Sequence, residues 1–459
     1  MKRYDPSSMR PFQLVCSILA ILILAVLSCM SCQRTEPKKV PSANRLQADA
    51  TPAPVMQIPK MEILYVKFPP DRQGTCLCIL SMPANNTQNL LDDPKVGSRL
   101  GKVMGSAVFS PDGKSILFAA SDAKSPVGIT EGGTFGELLD LWSLNRKTLS
   151  LTTLTTDSQG YDSLSWSPDG RYVGALGLKR YITGESPPTE SGAPEYDLYV
   201  LEPSKGNRWL VGRQVERYHW KEKTPNIVWT GESSDSGLHL KTWEPLTAKV
   251  RHVLDGIGED ATWAPNSKGI LFTWFASRTI NLVNPSTERI QTICPVTDRV
   301  FFQQWSPDGA RVVYWSPDES KLALLSLVNR TRDDIASGAD DFSCAWSHDS
   351  KRLAVAYHGT VQNVETYYTT LALIPMTTKQ GNVLSAFTDD AKILGWTKDN
   401  STIIILHSPY KRENVGRSSA LIALPQQIVA VDVSTGDKQD VASLPPNVQV
   451  TDWRLVDSE

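Results

Sequence analysis

One short motif recurs along this 459-residue chain and limits what it can fold into. It reads Trp-Ser-Pro-Asp-Gly at 166–170 and 305–309, and Phe-Ser-Pro-Asp-Gly at 109–113. Altered copies begin at Trp263, Trp346 and Trp396, where the aromatic residue remains and the following turn residues change. A motif that returns along a chain indicates that one small structural unit is used many times.

The residues after each copy follow a common pattern. An aliphatic residue stands seven positions after the aromatic, and a second apolar residue stands nine positions after it, as Val312 and Tyr314 do after Trp305. A spacing of two places both side chains on one face of a β-strand. The same spacing identifies a copy without the motif at Trp220. With that copy included, the unit repeats about every 40–60 residues.

Each unit continues with a third apolar run and a shorter, more polar fourth run. Four-stranded antiparallel units that repeat radially form a β-propeller. The C-terminal run 448–455 resembles a first strand, whereas 61–68 resembles a second strand with no first strand before it. We therefore expect an all-β fold: a single propeller of four-stranded blades, closed by pairing the C-terminal strand with the N-terminal blade. Eight blades are favoured, with seven as the alternative.

The N-terminus has the features of an export signal. A basic segment at 2–10 precedes an apolar run at 12–27, an arrangement typical of such signals. The run ends in Val-Leu-Ser-Cys at 26–29, which resembles the bacterial lipobox. That resemblance implies cleavage before Cys29 and lipidation of its thiol. Several acyl chains hold a protein on a membrane without a spanning helix. An ordinary signal peptide and an uncleaved anchor remain the alternatives.

These features divide the chain into three parts. Residues 1–28 are expected to be a lipoprotein signal peptide. Residues 29–60 are rich in Pro, Ala and polar residues without an apolar period, which is typical of a flexible tether. Residues 61–459 are expected to form the propeller. The predicted location is that of an exported, membrane-anchored lipoprotein facing the periplasm or the cell surface.

The motif turns, the strand pattern and the export signal together resemble the TolB-like, WD40-like (PD40) β-propeller family, here as a bacterial lipoprotein. The resemblance covers 61–459 and implies the fold. The best-known member of that family has a separate α/β domain before a six-bladed propeller, whereas a tether precedes the repeat here. The repeat also resembles the propeller of prolyl-oligopeptidase-like peptidases. Their Gly-x-Ser-x-Gly nucleophile motif does not occur in this sequence.

Acidic residues precede or begin several of the predicted first strands, which line the channel of a propeller. A ring of carboxylates at the channel mouth has the chemistry to hold a cation such as Ca²⁺ or a basic peptide. The alternative is a solvated rim that uses Asp to form turns. No other cofactor or metal is expected, because no two His residues have the spacing of a metal motif. The candidate rim residues are Asp162, Asp260, Asp298, Asp341 and Asp390.

Four long loops follow predicted second strands, at 121–137, 179–195, 358–368 and 407–425. Long loops on a rigid scaffold often carry recognition, although tolerated insertions would look the same. The candidate partner-binding residues are Phe135, Arg180, Tyr181, Tyr367, Tyr368, Tyr410, Lys411 and Arg412.

The charge pattern argues against nucleic-acid binding, because the formal net charge is -2 and the basic residues are scattered. We expect a non-enzymatic, lipid-anchored propeller of the cell envelope that binds a protein, a peptide or an envelope polymer on its long-loop face. The alternative is a propeller enzyme of glycoside hydrolase or lyase type that uses the channel-mouth carboxylates. The sequence gives no indication of the oligomeric state.

Overall fold

The computed structural model describes most of the chain after position 55. The described residues are 56, 58–68, 75–123, 139–157, 159–178, 195–234, 237–265, 269–274, 276–296, 299–337, 342–360, 367–379, 381–415 and 418–456. Cys29 and the predicted signal peptide lie outside them. The compact unit that begins at Met56 contains all of the strands described below.

Antiparallel strands dominate the described residues, as the sequence predicts. The strands β1 Met61–Lys67, β2 Cys76–Met82 and β3 Asn86–Asn89 form one sheet with the C-terminal strand β33 Val448–Leu455. The next sheet contains β4 Leu100–Phe109, β5 Ser115–Asp122, β6 Asp140–Asn145 and β7 Leu151–Thr153. The third contains β8 Tyr161–Trp166, β9 Val173–Leu178, β10 Tyr196–Glu202 and β11 Asn207–Gly212.

The middle of the chain forms a seven-stranded sheet. It contains β12 Val215–Trp220, β13 Ile227–Ser234, β14 Gly237–Glu244, β15 Lys249–Trp263, β16 Ile270–Trp274, β17 Thr279–Val283 and β18 Ile290–Pro295. The long strand β15 pairs with β14 through its first half and with β16 through its second half. It is therefore the fourth strand of one four-stranded unit and the first strand of the next.

The remaining strands form three further four-stranded sheets and a ribbon. One sheet contains β19 Phe301–Trp305, β20 Arg311–Ser316, β21 Lys321–Ser326 and β22 Thr331–Ser337. Another contains β23 Phe342–Trp346, β24 Arg352–Thr360, β25 Tyr367–Pro375 and β26 Asn382–Thr388. The last contains β27 Asp390–Trp396, β28 Thr402–Ser408, β31 Gln426–Asp432 and β32 Lys438–Leu444, and the ribbon pairs β29 Tyr410–Val415 with β30 Ser418–Ala423.

Helical structure is minor in the described part of the chain. A 3₁₀ turn at Leu90–Asp92 and the one-turn helix α1 Pro94–Gly97 follow β3. No helix among the described residues is long and apolar enough to cross a bilayer.

The repeated motif forms the tight turn between the first and second strands of a unit. In the copy at 305–309, the Ser306 hydroxyl donates to the Asp308 carboxylate at 2.6 Å and accepts from the Arg311 N–H at 3.0 Å. Gly309 has a φ of 66°, which favours glycine. The Ser306 hydroxyl and the Asp308 carboxylate thus hydrogen-bond within the turn, which gives these residues a structural role.

The motif aromatics connect neighbouring sheets. The indole N–H of Trp396 donates to the main-chain oxygen of Ala345 at 2.9 Å, and the indole N–H of Trp220 donates to the Ser165 hydroxyl at 2.9 Å. In both cases the acceptor lies on the first strand of the preceding sheet. Buried apolar residues of adjacent sheets complete each interface. Trp220 and Trp396 thereby tie their units to the preceding ones.

First strands contact one another along the whole series. The Phe109 N–H on β4 donates to the Asp452 carboxylate on β33 at 2.7 Å. Between β27 and β33 the approach is so close that a Cβ atom on Gly395 would lie 2.3 Å from the indole of Trp453. The first strands of neighbouring sheets therefore pack against one another. Side chains on them meet residues that are distant in sequence.

Candidate functional site

The predicted rim carboxylates do not form one uniform set. Asp298 and Asp341 lie outside the described residues. Asp162 on β8 is exposed, and its carboxylate accepts from the Ser106 hydroxyl at 2.8 Å and from the Ser163 N–H at 2.6 Å. Asp260 on β15 is fully buried, and Asp390 at the start of β27 is half-buried. The prediction of Ca²⁺ at this rim stays a prediction.

The predicted recognition loops are only partly described. Phe135, Arg180 and Tyr181 lie outside the described residues, whereas Tyr367 and Tyr368 begin β25 and Tyr410, Lys411 and Arg412 begin β29. The segments predicted as the loops 358–368 and 407–425 thus contain regular strand pairing. Aromatic and β-branched residues around Tyr368 favour the strand conformation. Tyr410 is exposed, and burial of its hydroxyl together with nearby Asp390 raises its pKa.

A polar cluster surrounds Asp260 on the first strands. Its Oδ1 lies 3.3 Å from Nε2 of His219, and its Oδ2 accepts from the main-chain N–H of Phe302 at 2.8 Å. The guanidinium of Arg217 lies 3.8 Å from Oδ2. These groups come from three different first strands, β12, β15 and β19. We call Arg217, His219 and Asp260 the inner-strand cluster.

Local backbone irregularities position the members of this cluster. Arg217 and His219 are two residues apart on β12 and therefore lie on the same face. The register of β12 against β13 shifts at 215–217, and that of β15 against β16 shifts at 257–261. Such bulges change the direction in which a side chain points. Asp260 lies within the second bulge, which explains how a charged residue of a strand reaches its neighbouring strands.

The inner-strand cluster combines a buried anion with two accessible cationic or titratable groups. The Asp260 side chain has no solvent exposure, whereas the side chains of His219 and Arg217 are 33% and 45% exposed. A buried charge requires hydrogen-bonding partners, and here the Phe302 N–H and the imidazole supply them. Because a carboxylate only accepts, His219 donates through Nε2, which leaves Nδ1 as the proton-accepting nitrogen.

Arg217 is held in place by an aromatic ring. Its guanidinium lies over the ring of Phe301 at 4.8 Å from the centroid. Arginine stacks well on aromatic faces, and its planar group then presents donors that match a carboxylate. The cluster thus places a proton acceptor beside a cation that is able to bind an anionic group.

A second polar cluster lies on the β14–β15 hairpin and was missed in the sequence. His239, His252 and Asp255 bring one ligand atom each to within 4.8 Å of one another. Hydrogen bonds from His252 and His239 lower the pKa of the Asp255 carboxyl. The spacing of 13 residues between the two His does not resemble a metal motif. The two residues are not direct cross-strand partners either, since His252 pairs with Lys241, so no signal in the sequence indicated this cluster.

The sheet arrangement defines a protein of β-propeller type. No protein-family model and no curated protein matches the chain. Among solved structures, dipeptidyl peptidase 4 of Porphyromonas gingivalis is similar, with a TM-score of 0.53, 10% identity, and coverage of 84% of this chain and 58% of that chain. At such an identity the likeness shows the fold alone.

Two further similar structures have lower scores. An oligogalacturonate lyase from Vibrio parahaemolyticus has a TM-score of 0.42 and 11% identity, over 78% of this chain and 90% of that chain. The acylaminoacyl peptidase of Pyrococcus horikoshii has a TM-score of 0.42 and 14% identity, over 81% of this chain and 56% of that chain. This chain thus spans a little more than half the length of the two peptidases.

These comparisons correct the prediction of a non-enzymatic binding protein. The similar solved structures are mostly enzymes, namely lyases, peptidases, a hydrolase and a lactonase by their names. These names stand against the non-enzymatic prediction and with the enzyme alternative, while the likeness itself, at 11–14% identity, shows the fold alone. The particular chemistry has to be argued from the side chains of this chain.

Proposed function

We propose that this protein is a propeller enzyme of lyase type that cleaves an acidic polymer by β-elimination at the inner-strand cluster. The observation that carries the proposal is the 3.3 Å contact between the fully buried Asp260 carboxylate and the partly exposed imidazole of His219. A carboxylate that orients an imidazole is a common way to prepare a general base. Arg217, beside both groups, supplies the binding site for a substrate carboxylate.

The proposed reaction uses each member of the cluster once. His219 Nδ1 takes the proton from the carbon next to the substrate carboxylate. The electron pair of that C–H bond forms a C=C bond to the neighbouring carbon. At the same time the C–O bond between that carbon and the leaving sugar breaks, and the leaving oxygen takes a proton from water. Arg217 stabilises the negative charge that develops on the carboxylate. Asp260 stabilises the imidazolium, which then returns its proton to water.

A lyase is favoured over a glycoside hydrolase because of the geometry of the carboxylates. Hydrolases of that class use two carboxyl groups that face each other across the scissile bond. Among the described rim residues, Asp260 is bonded to the Phe302 N–H and Asp162 to Ser106 and Ser163. Both carboxylates already accept hydrogen bonds from groups of the protein. Around the buried Asp260, the imidazole of His219 and the guanidinium of Arg217 are the groups accessible to a substrate.

The test is a product analysis with purified full-length protein on a panel of polyuronates, with neutral polysaccharides as the control substrates. β-Elimination gives an ultraviolet-absorbing C=C bond for each new reducing end, whereas hydrolysis gives reducing ends alone. We expect His219→Gln to lower kcat at least about 100-fold, because a general base contributes about 10²–10⁴. The exposed His348, on a motif turn, provides the matched control His348→Gln. Absence of unsaturated products on the whole panel would falsify the lyase proposal.

We also propose that the four-stranded units form a closed ring of eight blades, in the manner of the TolB-like, WD40-like family. Two observations support this: β15 belongs to two units, and β33 pairs with β1 so that strands from both ends of the chain share a sheet. The contacts between consecutive first strands support it as well. An experimental structure that contains seven blades or an open edge would contradict this proposal.

For localisation, we propose that the chain is exported and held on a membrane through acyl groups on Cys29, with an envelope polymer as the substrate. The support is the lipobox-like sequence at 26–29. Metabolic labelling with a fatty acid tests it: the label should be lost in Cys29→Ser and kept in the matched variant Cys32→Ser. Persistence of the label in Cys29→Ser would assign the lipid to another residue.

A further inference from the structure

We propose that His239, His252 and Asp255 form a binding site for one divalent transition-metal ion, such as Zn²⁺, on the β14–β15 hairpin. This site is separate from the inner-strand cluster, because it lies on β14 and the half of β15 that pairs with β14, whereas Asp260 lies in the half of β15 that pairs with β16. The proposal does not depend on the lyase chemistry.

The three side chains converge on a single point. Asp255 Oδ1 accepts from Nε2 of His252 at 2.8 Å, and the same oxygen accepts from Nδ1 of His239. The two imidazole rings lie 5.6 Å apart at an angle of 66°. Ligands about 2.1 Å from a tetrahedral Zn²⁺ lie about 3.4 Å from each other. The three atoms, all within 4.8 Å of one another, therefore need only small shifts to surround an ion.

The hairpin backbone holds the three residues on one face. His252 pairs opposite Lys241, two residues from His239, so the two imidazoles share a face of the sheet. The register then shifts twice between β14 and β15 before Ile257. This irregularity brings Asp255 onto the same face three residues after His252. It is followed by Gly256 with a φ of 72°, a conformation that favours glycine.

The ligand set and its exposure define the kind of metal. Two imidazole nitrogens and one carboxylate oxygen suit Zn²⁺, Fe²⁺, Ni²⁺ or Cu²⁺, whereas Ca²⁺ and Mg²⁺ prefer oxygen ligands alone. The side chains of His252 and Asp255 are 50% and 57% exposed, and that of His239 is 24% exposed. Three protein ligands at an open surface leave coordination positions for water or for a further ligand. The site is thus of the exchangeable or catalytic type rather than a closed structural one.

The experiment uses the full-length chain, purified through a tag that contains no histidine and treated with a chelator. Titration calorimetry with Zn²⁺ should give one ion per chain. Replacement of Zn²⁺ by Co²⁺ should give the visible absorption bands of a cobalt site with nitrogen and oxygen ligands. Neither measurement relies on catalytic activity.

Variants at the exposed positions decide the outcome. His252→Ala and Asp255→Asn should each weaken Zn²⁺ binding by more than about 100-fold, because even residues behind the ligands change affinity about 10–100-fold. His348→Ala, an exposed histidine on a motif turn, should bind like the wild type. If the wild type takes up no stoichiometric Zn²⁺, or if the two ligand variants bind it unchanged while their circular dichroism shows intact folding, the three residues form only hydrogen bonds and the proposal is overturned.

Discussion

Replacing Asp260 by alanine and by asparagine separates the structural contribution of this carboxylate from its catalytic contribution. In the wild type, the buried carboxylate accepts from the Phe302 N–H at 2.8 Å and contacts His219 at 3.3 Å. Alanine removes both acceptors. The Phe302 N–H is then left unpaired within the protein, which costs about 1–3 kcal/mol.

The two variants should differ in a predictable way. With the loss of the charge-assisted bond included, Asp260→Ala should lower the free energy of unfolding by roughly 2–4 kcal/mol. Asp260→Asn keeps one acceptor for the Phe302 N–H, so it should lower that free energy by only about 1 kcal/mol. The amide is neutral and does not stabilise an imidazolium, so kcat on an acidic polymer should fall at least about 100-fold in both variants.

Guanidinium denaturation followed by tryptophan fluorescence measures the free energy of unfolding. Initial rates of C=C formation at saturating substrate measure kcat. The double variant His219→Gln/Asp260→Asn provides the internal control, since residues that act as one catalytic unit have non-additive effects. Its kcat should equal that of His219→Gln alone. The reasoning is refuted if Asp260→Asn retains kcat within about twofold, or if Asp260→Ala unfolds at the wild-type denaturant concentration.

Two further predictions concern contacts between first strands. Burial raises the pKa of Asp452, whose carboxylate accepts from the Phe109 N–H. A carboxyl with a raised pKa in the folded state stabilises that state most below its unfolded pKa of about 3.8, and this contribution is lost as the pH rises through the folded value. The stability of Asp452→Asn relative to the wild type should therefore increase between pH 4 and pH 7 in urea titrations, and a pH-independent difference would contradict the raised pKa. In Gly395→Ala, the new methyl group would lie 2.3 Å from the Trp453 indole, so we expect a loss of about 1–3 kcal/mol. The control Gly381→Ala meets its nearest atom at an ordinary 3.5 Å, and equal thermal midpoints for the two variants would argue against close packing of β27 on β33.

The strands could be predicted because their signal is local. The spacing from Trp305 to Val312 and Tyr314 recurs in every copy of the motif, and it located β12 and β13 at Trp220 and Ile227 although the turn between them has lost the motif. Alternation along a strand and turn residues between strands are properties of adjacent residues. The positions of the strands could therefore be predicted without knowledge of tertiary contacts.

The site residues could be predicted only in part, because their environment depends on register and on neighbouring sheets. Asp260 was predicted as a rim residue, but it is buried, and its carboxylate accepts from the main-chain N–H of Phe302, 42 residues further along the chain. The approach of Asp255 to His239 and His252 depends on two register shifts in β14–β15. Residue spacing alone does not show where a bulge occurs. Neither the environment of Asp260 nor the hairpin cluster could therefore be predicted from the sequence.

The inner-strand cluster lies where neighbouring sheets meet, so the site forms only when those sheets are packed together. Asp260 bonds to the main chain of β19 and to a side chain of β12. Its carboxylate acquires both partners only when three consecutive first strands are in place. His219, in contrast, is partly exposed and bonds to the cluster through one nitrogen. Substitutions at His219 should therefore remove activity with little loss of stability, whereas alanine at Asp260 should remove both, because there the catalytic contact and the contact between sheets involve the same carboxylate.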